Sequence, residues 1–177
     1  MDIATLKDLL VYDPETGVLV WKERALSMCK TEGHRTRWNG QYANKPAGTT
    51  CKHSGYVILD VFAQPHRAHR VIFALMTGDW PKGQIDHING NRADNRWANL
   101  RDVSKKENGK NQKRSMLNKS GVTGVFWEAR ARKWRVKIND DKKIHWLGYF
   151  HDLEDAVAAR KAAEIKFGYH ENHGRAA

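Results

Sequence analysis

The stretch from Gln84 to Asn108 limits the possible folds of this chain more than any other part. Gln84-Ile85-Asp86-His87-Ile88 is a short strand candidate that runs into Asn89-Gly90-Asn91, which is strong turn chemistry. Leu100-Arg101-Asp102-Val103 is a second short apolar segment able to return as a strand. Ser104 with Glu107 three residues later forms a capping box, so a helix should start directly behind that strand. The order strand, strand, helix follows, with Asn108 in the first helical turn.

The residues on this unit share one kind of chemistry. Hydrolysing a phosphodiester requires an activated nucleophile, neutralisation of charge at the phosphate and help for the departing oxygen. Asp86 and the side-chain carbonyl of Asn108 are oxygen donors of the type that suits Mg²⁺ or Mn²⁺. His87 has the chemistry of a general base for water. Asn99 has the side chain to fix the intervening loop through backbone hydrogen bonds. Each part also has a plainer use: an Asp-His pair on a surface, an ordinary turn, an ordinary cap. The combination in one basic chain favours catalysis. Regular alternation would send Asp86 and His87 to opposite faces of the strand, so both serve one phosphate only if the strand end is irregular or the substrate wraps the site.

Residues 82–112 resemble the HNH nucleases of the phage and intron homing-endonuclease branch, which share the ββα-metal fold. The resemblance rests on Asp86-His87, Asn99-Leu100-Arg101 and Asn108, and on Ala68-His69-Arg70-Val71-Ile72-Phe73-Ala74-Leu75 before them. It implies Asp86 and Asn108 as metal ligands, His87 as general base and Asn99 as the structural residue between them. Asn108 stands where many members have His, which suits a site with few protein ligands and Mg²⁺ or Mn²⁺. Cys29 and Cys51 are the two cysteines, and no Cys-x-x-Cys pair exists, so no structural zinc is expected.

Upstream, Ile3, Leu6, Leu9 and Leu10 have helical spacing, and Tyr12 to Trp21 reads as strand, turn, strand around Pro14 and Gly17. Residues 22–50 read as irregular, with Arg35, Arg37 and Trp38 exposed. Gly55 to Phe62 reads as a strand and Gln64-Pro65-His66-Arg67 as the turn out of it. His69 to Met76 reads as a helix ended by Gly78, with positions 71, 72, 75 and 76 on its packed side.

The net charge of +11 favours a polyanionic partner, and residues 101–147 hold 14 Lys or Arg against 5 Asp or Glu. Strands are expected at Val122–Trp127, Trp134–Asn139 and Lys143–Tyr149, then a helix begun by Asp152 and ended by Gly168, with Leu153, Ala156, Val157, Arg160, Ala163 and Phe167 along one side. Residues 119–168 resemble the APETALA-two/ethylene-response DNA-binding domain, through Ser120-Gly121-Val122-Thr123-Gly124-Val125, Lys133-Trp134-Arg135-Val136-Lys137-Ile138 and Trp146-Leu147-Gly148-Tyr149-Phe150. That resemblance implies a sheet entering the major groove. By alternation Arg135 and Lys137 face DNA together while Val136 packs on the helix. Trp127, Arg130, Arg132, Lys143 and Trp146 join them as candidate contacts, with Arg101, Lys110 and Arg114 nearer the motif. Each tryptophan has an equal claim to a place in the core, and each lysine to general phosphate attraction.

The expected class is therefore α+β: a ββα-metal core with an N-terminal α/β extension, plus a small three-stranded antiparallel sheet packed on one helix. The expected divisions are 1–111 for the N-terminal region and nuclease core, 112–119 for a basic linker, 120–170 for the sheet module and 171–177 for a loose tail. The expected activity is a metal-dependent DNA endonuclease of the homing or nicking type, acting on double-stranded DNA as a monomer, with no membrane partner. The alternatives are a DNA-binding regulator with an inactive core and a structural RNA-binding protein. The N-terminus has no signal-peptide pattern, which predicts a cytoplasmic protein in a phage or bacterial setting.

Overall fold

The computed structural model describes residues 1–141 and 143–176. Its contacts divide the chain into two compact units, Met1–Asp102 and Val103–Ala177. Ala177, the last residue of the expected tail, lies outside the described residues. The class is mixed α and β, built from small sheets of two or three strands.

In the first unit, helix α1 (Ile3–Leu9) starts at Asp2, whose Oδ1 accepts the Thr5 N–H at 2.8 Å. It leads into the antiparallel hairpin β1 (Leu10–Asp13) and β2 (Val18–Trp21). Gly17 in the hairpin turn has φ +76, and a Cβ there would stand 2.5 Å from the Arg96 backbone nitrogen. Glycine is what lets the turn press against the segment before Trp97, whose N–H donates to the Pro14 carbonyl at 3.0 Å.

A three-stranded antiparallel sheet follows, in the order β3 (Thr49–Thr50), β4 (Val57–Val61), β5 (Gln64–Arg67). Helix α3 (Ala68–Thr77) packs Val71 and Ile72 into the core with Leu6, Leu9, Leu59 and Val61. Gly78, at φ +83, ends it in the left-handed conformation. Strands β6 (Gln84–His87) and β7 (Leu100–Val103) then pair, and the Ile88 N–H donates to the Asn99 carbonyl at 3.0 Å.

Three expectations here change. Residues 22–50 contain helix α2 (Glu32–Tyr42), capped by Thr31 through the His34 N–H. No residue of α2 is fully buried, so it has no apolar periodicity to read, and Arg35 and Trp38 are half-buried rather than exposed. Gln64 to Arg67 is strand β5, not a turn: the turn is Phe62-Ala63, at φ 50 and 62. On α3, Met76 is exposed, and His69 and Ala74 take the buried places.

In the second unit, α4 (Lys105–Gly109) begins with the complete Ser104–Glu107 capping box. Strands β8 (Val125–Glu128), β9 (Lys133–Asp140) and β10 (Lys143–Phe150) form an antiparallel sheet in the order β10-β9-β8, with a bulge between Trp146 and Gly148. Val122 precedes β8 rather than starting it. Helix α5 (Leu153–Lys166) covers one face through Ala156, over Val125 and Val136. Arg160, on the expected side of α5, is enclosed: Nη1 donates to the Lys137 carbonyl at 2.7 Å and Nε pairs with Glu164 at 3.0 Å.

The division of contacts falls at residue 102 rather than 111, and residues 112–114 of the expected linker and 174–175 of the expected tail are tied to one another. The Gly174 N–H donates to the Gln112 carbonyl at 2.9 Å, and the Arg114 N–H to the Arg175 carbonyl at 2.9 Å. Arg175 also grips the carbonyl and side chain of Asn111, and His173 is buried. Polar, basic composition does not reveal such pairing, because its bonds are made by the backbone.

Candidate active site

Strand β6 delivers Ile85, Asp86 and His87 to buried positions. Asp86 Oδ2 accepts from Arg101 on β7, at 3.1 Å from Nε and 2.8 Å from Nη2. His87 has different neighbours. Its Nε2 lies 3.0 Å from Asn95 Oδ1, its ring meets His69 edge-on at 5.1 Å, and Tyr56 lies 6.0 Å away. These bonds tie the two adjacent side chains to different neighbours, in keeping with strand alternation.

With Asn95 Oδ1 as its partner, Nε2 carries the ring proton and the lone pair stands on Nδ1. Burial pushes the His87 pKa below its ordinary value, against the upward pull of the Asn95 bond and of Asp86 and Asp94. Neutral imidazole is therefore the resting form at neutral pH, as a base requires. His69, buried in α3, is pushed down to about 3, chiefly by burial and then by the neighbouring His87.

Asn99 is buried and makes two loop bonds: Oδ1 accepts the Asn89 N–H at 2.9 Å and Nδ2 donates to the Asp94 carbonyl at 2.7 Å. The loop has its own ties, Asn89 Nδ2 to Asp94 Oδ2 at 2.7 Å and Arg96 to both oxygens of Asp94. These bonds, led by Arg96, hold the Asp94 carboxyl down to about 2. Tyr12 of β1 donates to the Asn95 carbonyl at 2.8 Å. The N-terminal hairpin therefore supports the residue that holds His87.

Three residues at this site carried no clear sequence signal. Asn95 reads as one more turn residue, and its burial is set by Tyr12 far upstream. Tyr56 lies under Arg67 and Arg92, at 4.7 and 4.8 Å from its ring, which brings two cations beside the His87 ring system. His69 enters the sequence only as part of the helical segment before the motif. The His-Arg pair at 69–70 was its one hint.

Asn108 lies in α4 of the second unit, half-buried, with its N–H donating to the Ser104 carbonyl at 3.0 Å. Among the expected DNA contacts, three are otherwise engaged. Arg101 is bound to Asp86, Lys110 bonds the Phe167 carbonyl and pairs with Asp140 at 3.2 Å, and Arg114 bonds the Gly121 carbonyl. These donors meet structural carbonyls and carboxylates that a count of basic residues does not show.

The sheet face opposite α5 brings Phe126, Arg135 and Tyr149 into one row across the strands and Lys137 with Trp146 into the next. The Arg135 guanidinium stacks 3.6 Å from the Trp146 ring, and Trp146 and Tyr149 are each half exposed. Arg135 also faces Glu128 at 3.5 Å. Trp127 pairs with Trp134 on the opposite parity, half exposed, and Phe126 takes the place beside Arg135 on the cationic face. Arg130 and Arg132 are exposed in the β8–β9 turn, and Lys143 is exposed at the start of β10.

Residues 66–110 match the HNH endonuclease family, which places β6, β7 and the loop between them within a known nuclease domain. Protein 3.8 of Escherichia phage T7 is 35% identical over 85 residues, covering 48% of this chain and 70% of that protein. The chain belongs to the family of that phage protein and carries an HNH endonuclease domain at residues 66–110. The family match ends before the sheet of the second unit. No solved structure matches the chain. No helix is long and apolar enough to cross a membrane among the described residues.

Proposed function

We propose that the chain is a metal-dependent DNA endonuclease whose general base is His87. The observation that carries this reading is the buried imidazole of His87, anchored through Nε2 to Asn95 and pushed by burial towards its neutral form. His87 takes a proton from water, the oxygen attacks phosphorus, and the bond from phosphorus to the departing strand oxygen breaks. That oxygen is then protonated from solvent.

HNH endonucleases work with a divalent metal, and Asp86 and Asn108 are the residues that would hold Mg²⁺ or Mn²⁺ here. Among the described residues no three His, Cys, Asp or Glu gather, so the donors fit a hard cation that draws most of its ligands from water and phosphate. The metal supplies charge neutralisation at the phosphate and stabilises the leaving oxygen. Arg101 holds the Asp86 carboxylate in place and balances its charge. Asn99 holds the loop in register.

In the second unit, the face of Phe126, Arg135, Lys137, Trp146 and Tyr149 supports the resemblance to the APETALA-two fold as a surface for double-stranded DNA. Arg130, Arg132 and Lys143 supply phosphate contacts at its edges. A monomer with one such core nicks one strand, as a homing or nicking enzyme would.

The Asp86–Arg101 ion pair and the enclosure of His87 favour one competing reading, a DNA-binding regulator with a silent core. Conversion of supercoiled plasmid with Mg²⁺ or Mn²⁺, comparing wild type with His87→Ala, separates the two. The endonuclease reading expects nicked plasmid from wild type and a loss of about a hundredfold or more in the variant. Equal conversion by both proteins, or none by either across both metals, overturns it.

A further inference from the structure

The first unit contains a cleft, away from the β6–β7 loop, that the proposed activity does not use. It encloses about 450 Å³ and is lined by Trp21, Arg24, Trp38, Tyr42, Asp60 and Phe62 among others. This volume is within the range of about 300–1,000 Å³ usual for small-ligand sites.

Arg24 makes the cleft unusual. The residue is only 8% exposed, and its backbone is clamped at both ends by the Asn39 amide, at 2.9 Å and 3.2 Å. Its guanidinium carbon lies 3.8 Å from the Trp38 ring centre and 5.1 Å from that of Phe62. Among the described residues no carboxylate or carbonyl pairs with this guanidinium, and Nε is enclosed without any partner. An enclosed guanidinium N–H without an acceptor is costly, and stacking on rings offsets only part of that cost. An oxyanion would supply that acceptor, because the planar edge of an arginine matches one well.

The mouth of the cleft has a second character. Tyr42 and Phe62 expose 40% and 46% of their surfaces. Phe62 stands at φ 50 in a two-residue turn where both φ values are positive, a place that usually takes Asn-Gly. A bulky ring is kept there against the backbone preference, and it covers Arg24. An oxyanion receptor beside open aromatic rings, in a chain of net charge +11, has the chemistry of a nucleotide site.

We propose that the cleft over Arg24 binds one nucleotide of a DNA strand, with a phosphate oxygen on the guanidinium edge and the base against the rings of Tyr42 and Phe62. Strand β4 relates this cleft to the nuclease loop: Asp60 lines the cleft, and Val57 follows Tyr56, whose ring lies beside His87. Three strand residues span about 10 Å, or about three nucleotides at 3.4 Å each. The cleft thus grips the substrate strand a few nucleotides from the bond cut. That placement rests on the endonuclease reading; the binding does not.

The test is a titration of tetrathymidylate into the full chain carrying His87→Ala, following the indole N–H resonance of Trp38, assigned through Trp38→Phe. The expected result is a saturable shift, with affinity about tenfold weaker in both Arg24→Lys and Tyr42→Ala. Tyr42 lies at the surface, so Tyr42→Ala decides the matter if Arg24→Lys does not fold. A Trp38 resonance that stays in place, unchanged affinity in Tyr42→Ala, or an equal response to inorganic phosphate alone overturns the proposal. A shift in Trp38 with no plasmid cleavage by wild type leaves the nucleotide site standing and removes the endonuclease reading. Cleavage without a shift does the reverse.

Discussion

Asn95 shows how much of the site depends on a residue with no chemistry of its own. Its side-chain oxygen holds His87 Nε2, and its carbonyl is held in turn by Tyr12. Asn95→Ala removes the acceptor and leaves His87 able to adopt the other tautomer, so we expect the nicking rate to fall by about tenfold or more while the fold survives. Plasmid relaxation with a circular dichroism control measures this. An unchanged rate would mean that His87 is oriented by something else. Asp86 and His87 stand out in the sequence because their residue types are rare as neighbours and chemically specific. Asn95 does not, because the bond that fixes its place joins it to a residue 83 positions earlier.

The elements that support the loop are as sensitive as the loop. The β1–β2 turn needs Gly17 both for its positive φ and for its approach to Arg96, where a Cβ would stand 2.5 Å from backbone. Gly17→Ala should cost about 2 kcal/mol or more of stability, because backbone on both sides must move. It should also slow cleavage, because the displaced segment is the one that carries Asn95. Urea unfolding read beside plasmid relaxation checks both, and loss of stability without loss of rate would separate the hairpin from the site. In the second unit the register assigns Trp146 and Trp127 to opposite faces. Trp146→Ala should weaken duplex binding by about tenfold and Trp127→Ala by much less at matched salt, as read by fluorescence anisotropy. Equal losses would argue against the Arg135–Trp146 face as the DNA surface.

For the molecule as a whole, the buried histidines set a dependence on acid. His69 titrates at about 3 in the folded protein against an ordinary value of 6.5, and His87 is shifted in the same direction. Below about pH 6.5 the unfolded chain takes up protons that the folded protein does not, so stability falls as pH falls through the window from 6.5 towards 3. Each such histidine contributes a slope of up to about 1.4 kcal/mol per pH unit. Carboxylates such as Asp94 add their own loss only at lower pH. Urea unfolding between pH 6.5 and 4.5 should therefore show a clear slope, reduced by close to one proton in His69→Gln. An unaltered slope in that variant would show that His69 is not a buried neutral group.

The strand-turn-strand-cap order of residues 84–108 and the three-strand-and-helix pattern of the second unit were both legible from the chain alone. Each depends on neighbours a few positions apart: turn residues, alternation, a cap three residues from its partner. Helix α2 escaped because a helix with no fully buried residue shows no apolar period. The Gln64–Arg67 strand escaped because two residues with positive φ replaced the glycine that usually marks such a turn. The engagement of Arg101, Lys110 and Arg114, the enclosure of Arg160 and Arg24, and the pairing of the tail with residues 111–114 were settled only by folding. A basic residue in a sequence is the same letter whether it meets phosphate, a carbonyl or an aromatic ring, and long-range packing decides which.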